Sequence, residues 1–573
     1  MITHVVLPLS IGILIMTFFT LAACQAYSSF PSIIIQGNKF FNSSDGVQFF
    51  IMGIAYQPQV PTDSILTEIE SLPEHNYIDP LADPLLCLRD IPYLKELHVN
   101  TIRVYSIDPK KDHDICMNAL MDAGIYVVSD LSEPSTSIVR DNPTWNTNLF
   151  KRYTDVVDAL HKYPNVLGFF AGNEVTNDIT NTGASPFVKA AIRDTKEYIH
   201  QQGYRSIPVG YSSNDDLETR DYLDQYFTCG DFIADFYGVN MYEWCGYSTY
   251  QTSGYRERTE HFRDFPIPLF FSEFGCNLVQ PRPFSEVKTL FGNQMTEVWS
   301  GGLAYMYFEE SNHYGIVSID PVTDEVVKLP DFNNLSNGFK TATPKRVIIN
   351  KTMDIPTGGS IVQNRDCPFN ESNWNVSDEL PPTPDSEICQ CTQVLPCLAV
   401  ADSSNQNFQD FFDNICNEVD CSDISADGND GTFGKYSFCT TNEKVAIVAS
   451  KWYFNGTLSG EKCPLTGQFT GNNKDYSPHS RKLSLMCDIF ETNVKFSNKR
   501  LPYPNIYLGN ILTLENQPGS IAVGDTLPGT EQYIVVVPID HEVSADNTNG
   551  YGRTTYVKKL SLFISVLLVC TFF

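Results

Sequence analysis

Two apolar runs in this chain each deliver a glutamate. One reads Gly168-Phe169-Phe170-Ala171-Gly172-Asn173-Glu174, the other Pro268-Leu269-Phe270-Phe271-Ser272-Glu273-Phe274-Gly275. A carboxylate at the end of an apolar strand is costly unless the charge has work to do. Two carboxylates brought face to face suit cleavage of a glycosidic bond. One, protonated, helps the leaving oxygen depart; the other, ionised, attacks or activates water. A separation of about 5–5.5 Å would give direct attack, a covalent glycosyl-enzyme and retention of configuration. On this reading Glu174 is the acid/base, Glu273 the nucleophile, and Asn173 holds the sugar hydroxyl beside the reacting carbon. Both half-reactions are carboxylate work, so no metal or other cofactor is expected, and the sequence lacks an H-E-x-x-H pair.

Such side chains need rigid elements behind them. Runs 49–56, 100–105, 126–130, 166–172, 207–211, 236–241, 268–271 and 303–308 are short and apolar, and segments with helical spacing, such as 149–161 and 186–201, lie between most of them. Eight strands alternating with helices over roughly 300 residues predict an α/β fold of the (β/α)8 TIM barrel type. A doubly wound open sheet competes with it, but no G-x-G-x-x-G follows the first run. In a closed ring the fourth and seventh strands face each other across the mouth, which brings Glu174 and Glu273 together. Gln57, Tyr105, Asp130, Asp215, Tyr242 and Tyr305 follow the first, second, third, fifth, sixth and eighth runs. Aromatic rings stack on sugar faces, and amides and carboxylates pair with hydroxyls, so these residues are candidate substrate contacts.

The whole chain, 573 residues with 42% hydrophobic and 19% charged, can bury one large core and a small second domain and is not broadly disordered. A net charge of −29 excludes a nucleic-acid partner that would need a basic footprint. Residues 5–21 are apolar and precede Ala22, Ala23 and Ala26, the pattern of a signal peptide over 1–26; a transmembrane anchor is the other reading. At the far end a small-residue window, 544–552, a polar spacer and an apolar tail, 560–573, form a GPI-attachment pattern. Asn549 is the preferred attachment residue, with Asp546 and Asn547 as alternatives and 550–573 removed. Of 16 cysteines, Cys24 and Cys570 fall in these end segments, and the even remainder implies disulfides. Sequons at Asn42, Asn334, Asn350, Asn370, Asn375 and Asn455 agree with secretion. A catalytic domain over 27–350 is followed by a Pro/Gly/Ser/Asn-rich connector, 351–388. Residues 389–487 hold eight cysteines and read as a small disulfide-stapled domain; zinc at Cys389 and Cys391 is the rival. The segment 488–549 shows no identifiable chemistry.

With these residues in view, the chain from about Ile33 to Cys487 resembles the fungal β-1,3-glucanosyltransferases of glycoside hydrolase family 72. The motifs are Asn100-Thr101-Ile102-Arg103-Val104-Tyr105, Ala171-Gly172-Asn173-Glu174-Val175, Asn240-Met241-Tyr242-Glu243-Trp244-Cys245 and Ser272-Glu273-Phe274-Gly275-Cys276. The resemblance implies a retaining barrel with Glu174 as acid/base and Glu273 carrying the covalent glucosyl intermediate. It adds substrate contacts at Ser132, Ser137 and Arg140 in the loop 132–140, and at Tyr105, Asn173, Asp215, Arg220 and Tyr305. It implies bridges Cys87–Cys116, Cys229–Cys367 (tying the connector back to the barrel), Cys245–Cys276, Cys389–Cys439, Cys391–Cys487, Cys397–Cys463 and Cys416–Cys421. The cysteine-rich segment resembles a carbohydrate-binding module of family 43. The expected partners are β-1,3-glucan donor and acceptor chains, and the plasma membrane through a GPI lipid, at the cell surface. The implied reaction cleaves an internal linkage and transfers the new reducing end to the non-reducing end of another glucan. Hydrolysis by water, or a barrel kept as a non-catalytic glucan-binding scaffold, are the competing readings.

Overall fold

The computed structural model describes residues 30–60, 77–349, 366–369, 371–395, 397–399, 408–455 and 469–471, all within the unit Met1–Arg500. The expected signal peptide, the 488–549 segment, the attachment signal with Asn549, and Cys463 and Cys487 lie outside these residues.

Eight parallel strands close into a barrel. They are β1 Ile51–Ala55, β2 Thr101–Val104, β3 Tyr126–Asp130, β4 Val166–Asn173, β5 Val209–Ser213, β6 Tyr237–Cys245, β7 Leu269–Cys276 and β8 Trp299–Ala304. The alternating helices are α1 Pro84–Glu96, α2 Asp114–Asp122, α3 Thr147–Leu160, α4 Ser185–Gln201, α5 Arg220–Tyr226, α6 Tyr255–His261, α7 Glu286–Leu290 and α8 Pro330–Thr341. Pairing of β8 with β1, from Gly301↔Ile51 to Ala304↔Ile54, closes the ring and excludes the open sheet. The expected run 303–308 started late, because Gly301-Gly302 looks like a strand breaker. Glycine is required there instead: Gly301 has φ +99°, and a Cβ would run into the Ile51 carbonyl oxygen.

The strand alternation places two cores. Ile51, Val128, Leu167, Phe170, Phe270 and Leu303 fill the barrel interior with Phe40 and Phe49 from a short N-terminal antiparallel sheet. The Phe40 ring lies 6.2 Å from Phe236 and 6.0 Å from Phe270, so this sheet packs beneath the strand starts and leaves the opposite mouth for chemistry. Outward residues such as Phe169, Ala171, Val209, Val239 and Phe271 pack against Val156, Val157, Val188 and Ile192 of the helices and their neighbours.

Part of the expected connector belongs to the core. Trp374, Val376 and Leu380 are buried in the barrel's main cluster, with the Trp374 ring 6.0 Å from Tyr222 and 5.4 Å from Tyr226. The polar composition around them masked three apolar residues that need a wall to pack on. Beyond lies the small domain, with helices α9 Ser386–Gln390, α10 Gln409–Ile415 and α11 Thr441–Asn455 around a core that includes Leu395, Phe411, Tyr436, Phe438, Val445 and Ile447. It sits directly on the barrel. Thr147 N donates to Phe438 O at 3.0 Å, Phe187 meets Phe433 at 5.7 Å, and a Cβ on Gly428 would strike the Gly183 carbonyl.

Disulfides join Cys87–Cys116, Cys229–Cys367, Cys245–Cys276, Cys389–Cys439 and Cys416–Cys421. Cys391 and Cys397 are also disulfide-bonded. The bridge from Cys389 to Cys439 and the bonding of Cys391 displace the zinc alternative.

Candidate active site

Strand irregularities aim the carboxylates. Pairing between β7 and β6 steps from Phe271↔Val239 to Glu273↔Asn240, leaving Ser272 as an extra residue in β7. Such a bulge breaks strict alternation. Ser272 and Glu273, consecutive in sequence, therefore both join the inner polar network. At β4 the pairing with β5 skips from Phe170↔Gly210 to Asn173↔Ser212. Glu174 follows with φ +48°, a left-handed backbone rare for any residue but glycine. Two clamps hold it: its N–H donates to Ser212 O at 2.8 Å, and Arg140 Nη2 donates to its carbonyl at 2.8 Å.

Glu273 is almost wholly enclosed. Tyr105 Oη donates to its Oε1 at 2.8 Å and Tyr242 Oη to its Oε2 at 2.8 Å, while Arg103 Nη1 lies 3.5 Å from Oε1. Burial pushes the Glu273 carboxyl above its ordinary range; Arg103 and the tyrosyl hydroxyls pull against that, and the charge of Glu174 adds to it. Burial and the Glu273 charge hold both tyrosines well above their ordinary range, so they stay protonated donors. Arg103 ties the two halves of the cup. Its Nε and Nη2 grip the Asp130 carboxylate at 3.0 Å each, and Nη2 also donates to Asn173 Oδ1 at 3.0 Å. Asn240 takes hydroxyl hydrogen bonds from Ser272 (2.9 Å) and Ser212 (3.1 Å) on its Oδ1. That fixes its Nδ2 to donate to Glu174 Oε1 at 2.7 Å and to Asn173 Oδ1 at 3.2 Å. With Oδ1 of Asn173 doubly used, its Nδ2 has no partner among the described residues and is left to donate elsewhere.

Residues 22–343 match the glycoside hydrolase family 72 glucanosyltransferase model, and residues 395–470 match the X8 domain. The chain belongs to the glucanosyltransferase family. Among its relatives, 1,3-beta-glucanosyltransferase GAS2 of Saccharomyces cerevisiae is 54% identical over 445 residues, spanning 77% of this chain and 79% of that protein. 1,3-beta-glucanosyltransferase PGA5 of Candida albicans is 47% identical over 459 residues, spanning 76% and 70%. A solved structure of Saccharomyces cerevisiae Gas2p, a glutamate-to-glutamine variant in complex with laminaritetraose and laminaripentaose, superposes with a TM-score of 0.72 at 52% identity. It covers 80% of this chain and 99% of that one.

Within this glucanosyltransferase barrel, Glu174, Glu273, Asn173, Tyr105, Tyr242 and Tyr305 gather at one mouth; Tyr305 makes an edge contact with Tyr105 at 6.5 Å. Gln57 and Asp130 stand behind it. Gln57 Oε1 accepts from the N–H groups of Tyr105 and Ser106, and its Nε2 donates to Ile78 O, so its amide shapes the backbone. Asp130 is buried and spends both oxygens on Arg103. Ser132, Ser137 and Arg140 lie in the β3 loop, which reaches Glu174 through Arg140. Asp215 and Arg220 form an ion cluster with Glu243 and Arg258. Burial pushes Asp215 up to about 7 despite both arginines, and its Oδ2 is buried without a hydrogen bond. Arg103, Asn240, Ser212 and Ser272 were not singled out from sequence. Their signal was a polar residue inside an otherwise apolar strand, which alternation alone does not aim inward or outward.

Proposed function

We propose that the cup is a retaining transglycosidase site that cleaves β-1,3-glucan and joins the cut chain to another glucan. Glu273 attacks the anomeric carbon while Glu174 gives its proton to the departing O3, so the C1–O3 bond breaks as the C1–Glu273 ester bond forms. The reducing-side fragment leaves. Glu174, now ionised, takes the proton from the 3-hydroxyl at the non-reducing end of an acceptor, whose oxygen displaces Glu273 with retention. Asn173 Nδ2 donates to the sugar hydroxyl beside C1, and Tyr105 and Tyr242 orient Glu273. An acceptor bound in line outcompetes bulk water through effective concentration.

The observation that supports this reading is one polar network, Glu273–Arg103–Asn173–Asn240–Glu174, that carries both carboxylates of the cup. The family relationship and the laminari-oligosaccharides bound to the related Gas2p supply the substrate class. Incubating the purified protein with a reduced β-1,3-glucan oligomer tests it: products longer than the substrate are expected. Only shorter products would make it a glucanase, and unchanged substrate with retained binding a scaffold.

The small domain is taken to hold glucan beside the barrel. From the composition of the two ends we further infer secretion, with residues 1–26 removed, and a GPI lipid at Asn549 that holds the enzyme on the outer leaflet of the plasma membrane, against the cell wall.

A further inference from the structure

The loop that carries Glu174 ends against the small domain. It runs from the end of β4 to a single 3-10 turn, Thr182–Ala184, and on into α4. Between these ends it is wired to itself. Thr176 Oγ1 meets the hydroxyl of Ser185, the first residue of α4, at 2.8 Å. The Asn181 side chain accepts from Asn177 N and donates to Asn177 Oδ1, both at 2.8 Å. Asn214, just after β5, donates through Nδ2 to Asn177 O at 2.8 Å. With its middle braced in this way, the loop transmits a shift at 182–184 toward Glu174 rather than absorbing it.

The small domain seats that 3-10 turn. A hairpin pairs Ala426–Asp427 with Thr432–Phe433, and its tip lies on Gly183. A Cβ on Gly428 would fall 2.1 Å from the Gly183 carbonyl oxygen and 3.2 Å from the Phe187 ring; one on Gly183 would fall 2.7 Å from Asn429 Oδ1. Backbone therefore rests on backbone, with the Asn429 amide laid over the bare Cα of Gly183. The tip is itself held: Asp427 Oδ1 accepts from Asn429 N at 2.8 Å, and Gly428 O accepts from Ser377 N at 3.1 Å. Glu174 needs such backing, because its left-handed backbone, φ +48°, is costly and persists only where the surroundings over-determine it. We propose that the hairpin tip of the small domain positions the acid/base: Gly428 and Asn429 seat Gly183 and so hold the loop that aims Glu174 at the leaving oxygen. They act through the loop and not on the substrate. This rests on the transglycosidase reading above. A misaimed acid has a definite signature, since a departing sugar oxygen needs its proton and a departing dinitrophenolate does not.

The test uses the full chain and two donors, a reduced β-1,3-glucan oligomer and a dinitrophenyl β-glycoside of such an oligomer. Elongation by the unaltered protein is measured first; its absence would overturn the proposed function whatever the hairpin does. Glu174→Gln then supplies the pattern of a lost acid, with elongation gone and the burst of dinitrophenolate retained. Gly428→Ala, whose methyl must push the hairpin and Gly183 apart, is expected to slow elongation about tenfold and the burst less than about twofold. Asn429→Ala removes the amide without adding bulk and should show the same split, with elongation slowed about threefold. An equal loss from both donors would mean general damage and would overturn the proposal, as would elongation that is unchanged in Gly428→Ala. If Gly428→Ala does not fold, Asn429→Ala decides by the same comparison.

Discussion

Glu273 illustrates how one side chain is tuned by opposing neighbours. Burial raises its pKa, while Arg103, Tyr105 and Tyr242 keep an ionised form within reach. Glu273→Gln is expected to cut turnover by about a thousandfold or more, read as elongation rate, with the far-UV circular dichroism unchanged. A pKa raised in the fold favours the protonated form, so ionisation of Glu273 costs stability as pH rises through that value. The Tm of Glu273→Gln relative to the parent should therefore climb as pH rises from the ordinary carboxylate range toward the raised value in the fold. Tyr242→Phe removes one donor to the charged form and should move the acid limb of the pH–rate profile upward by about 0.5–1 unit. A limb that stays in place would show that Tyr242 does not support the ionised carboxylate. The two glutamates were legible because each closes an apolar run. Gln57 and Asp130 stood out by the same criterion, yet polarity at a strand end serves equally to hold a neighbour, and here it does. Arg103 and Asn240 stand in the family motifs but were given no role, because a polar residue within a strand declares its purpose only when its facing partners are known.

At the level of elements, the run of short apolar segments was enough to read a barrel, since eight repeats of strand and helix admit few other closures. The bulges in β4 and β7 were not legible. A one-residue slip depends on what the adjacent strand offers, and no local residue pattern marks it. The connector was misjudged for a related reason: the Trp374 ring packs on Tyr222 and Tyr226 of α5, which are distant in sequence. Trp374→Ala should cost about 3–5 kcal/mol in chemical denaturation, because its site between Tyr222 and Tyr226 is fully buried. A loss below about 1 kcal/mol would mean that this strand of chain contributes little beyond connection.

For the molecule as a whole, the small domain is fastened to α3 and α4 through Phe438, Phe433 and the close approach of Gly428 to Gly183. Barrel and module should therefore unfold in one calorimetric transition, and two resolved peaks would refute their coupling. The Cys229–Cys367 bridge has a topological result of its own. A protease that nicks the backbone anywhere between Thr341 and Cys367 does not release two proteins. The front fragment keeps Cys229 and the rear fragment keeps Cys367, so the pieces stay covalently one species and migrate together until a reductant is added. Shedding the small domain thus takes two separate chemical insults, hydrolysis and reduction.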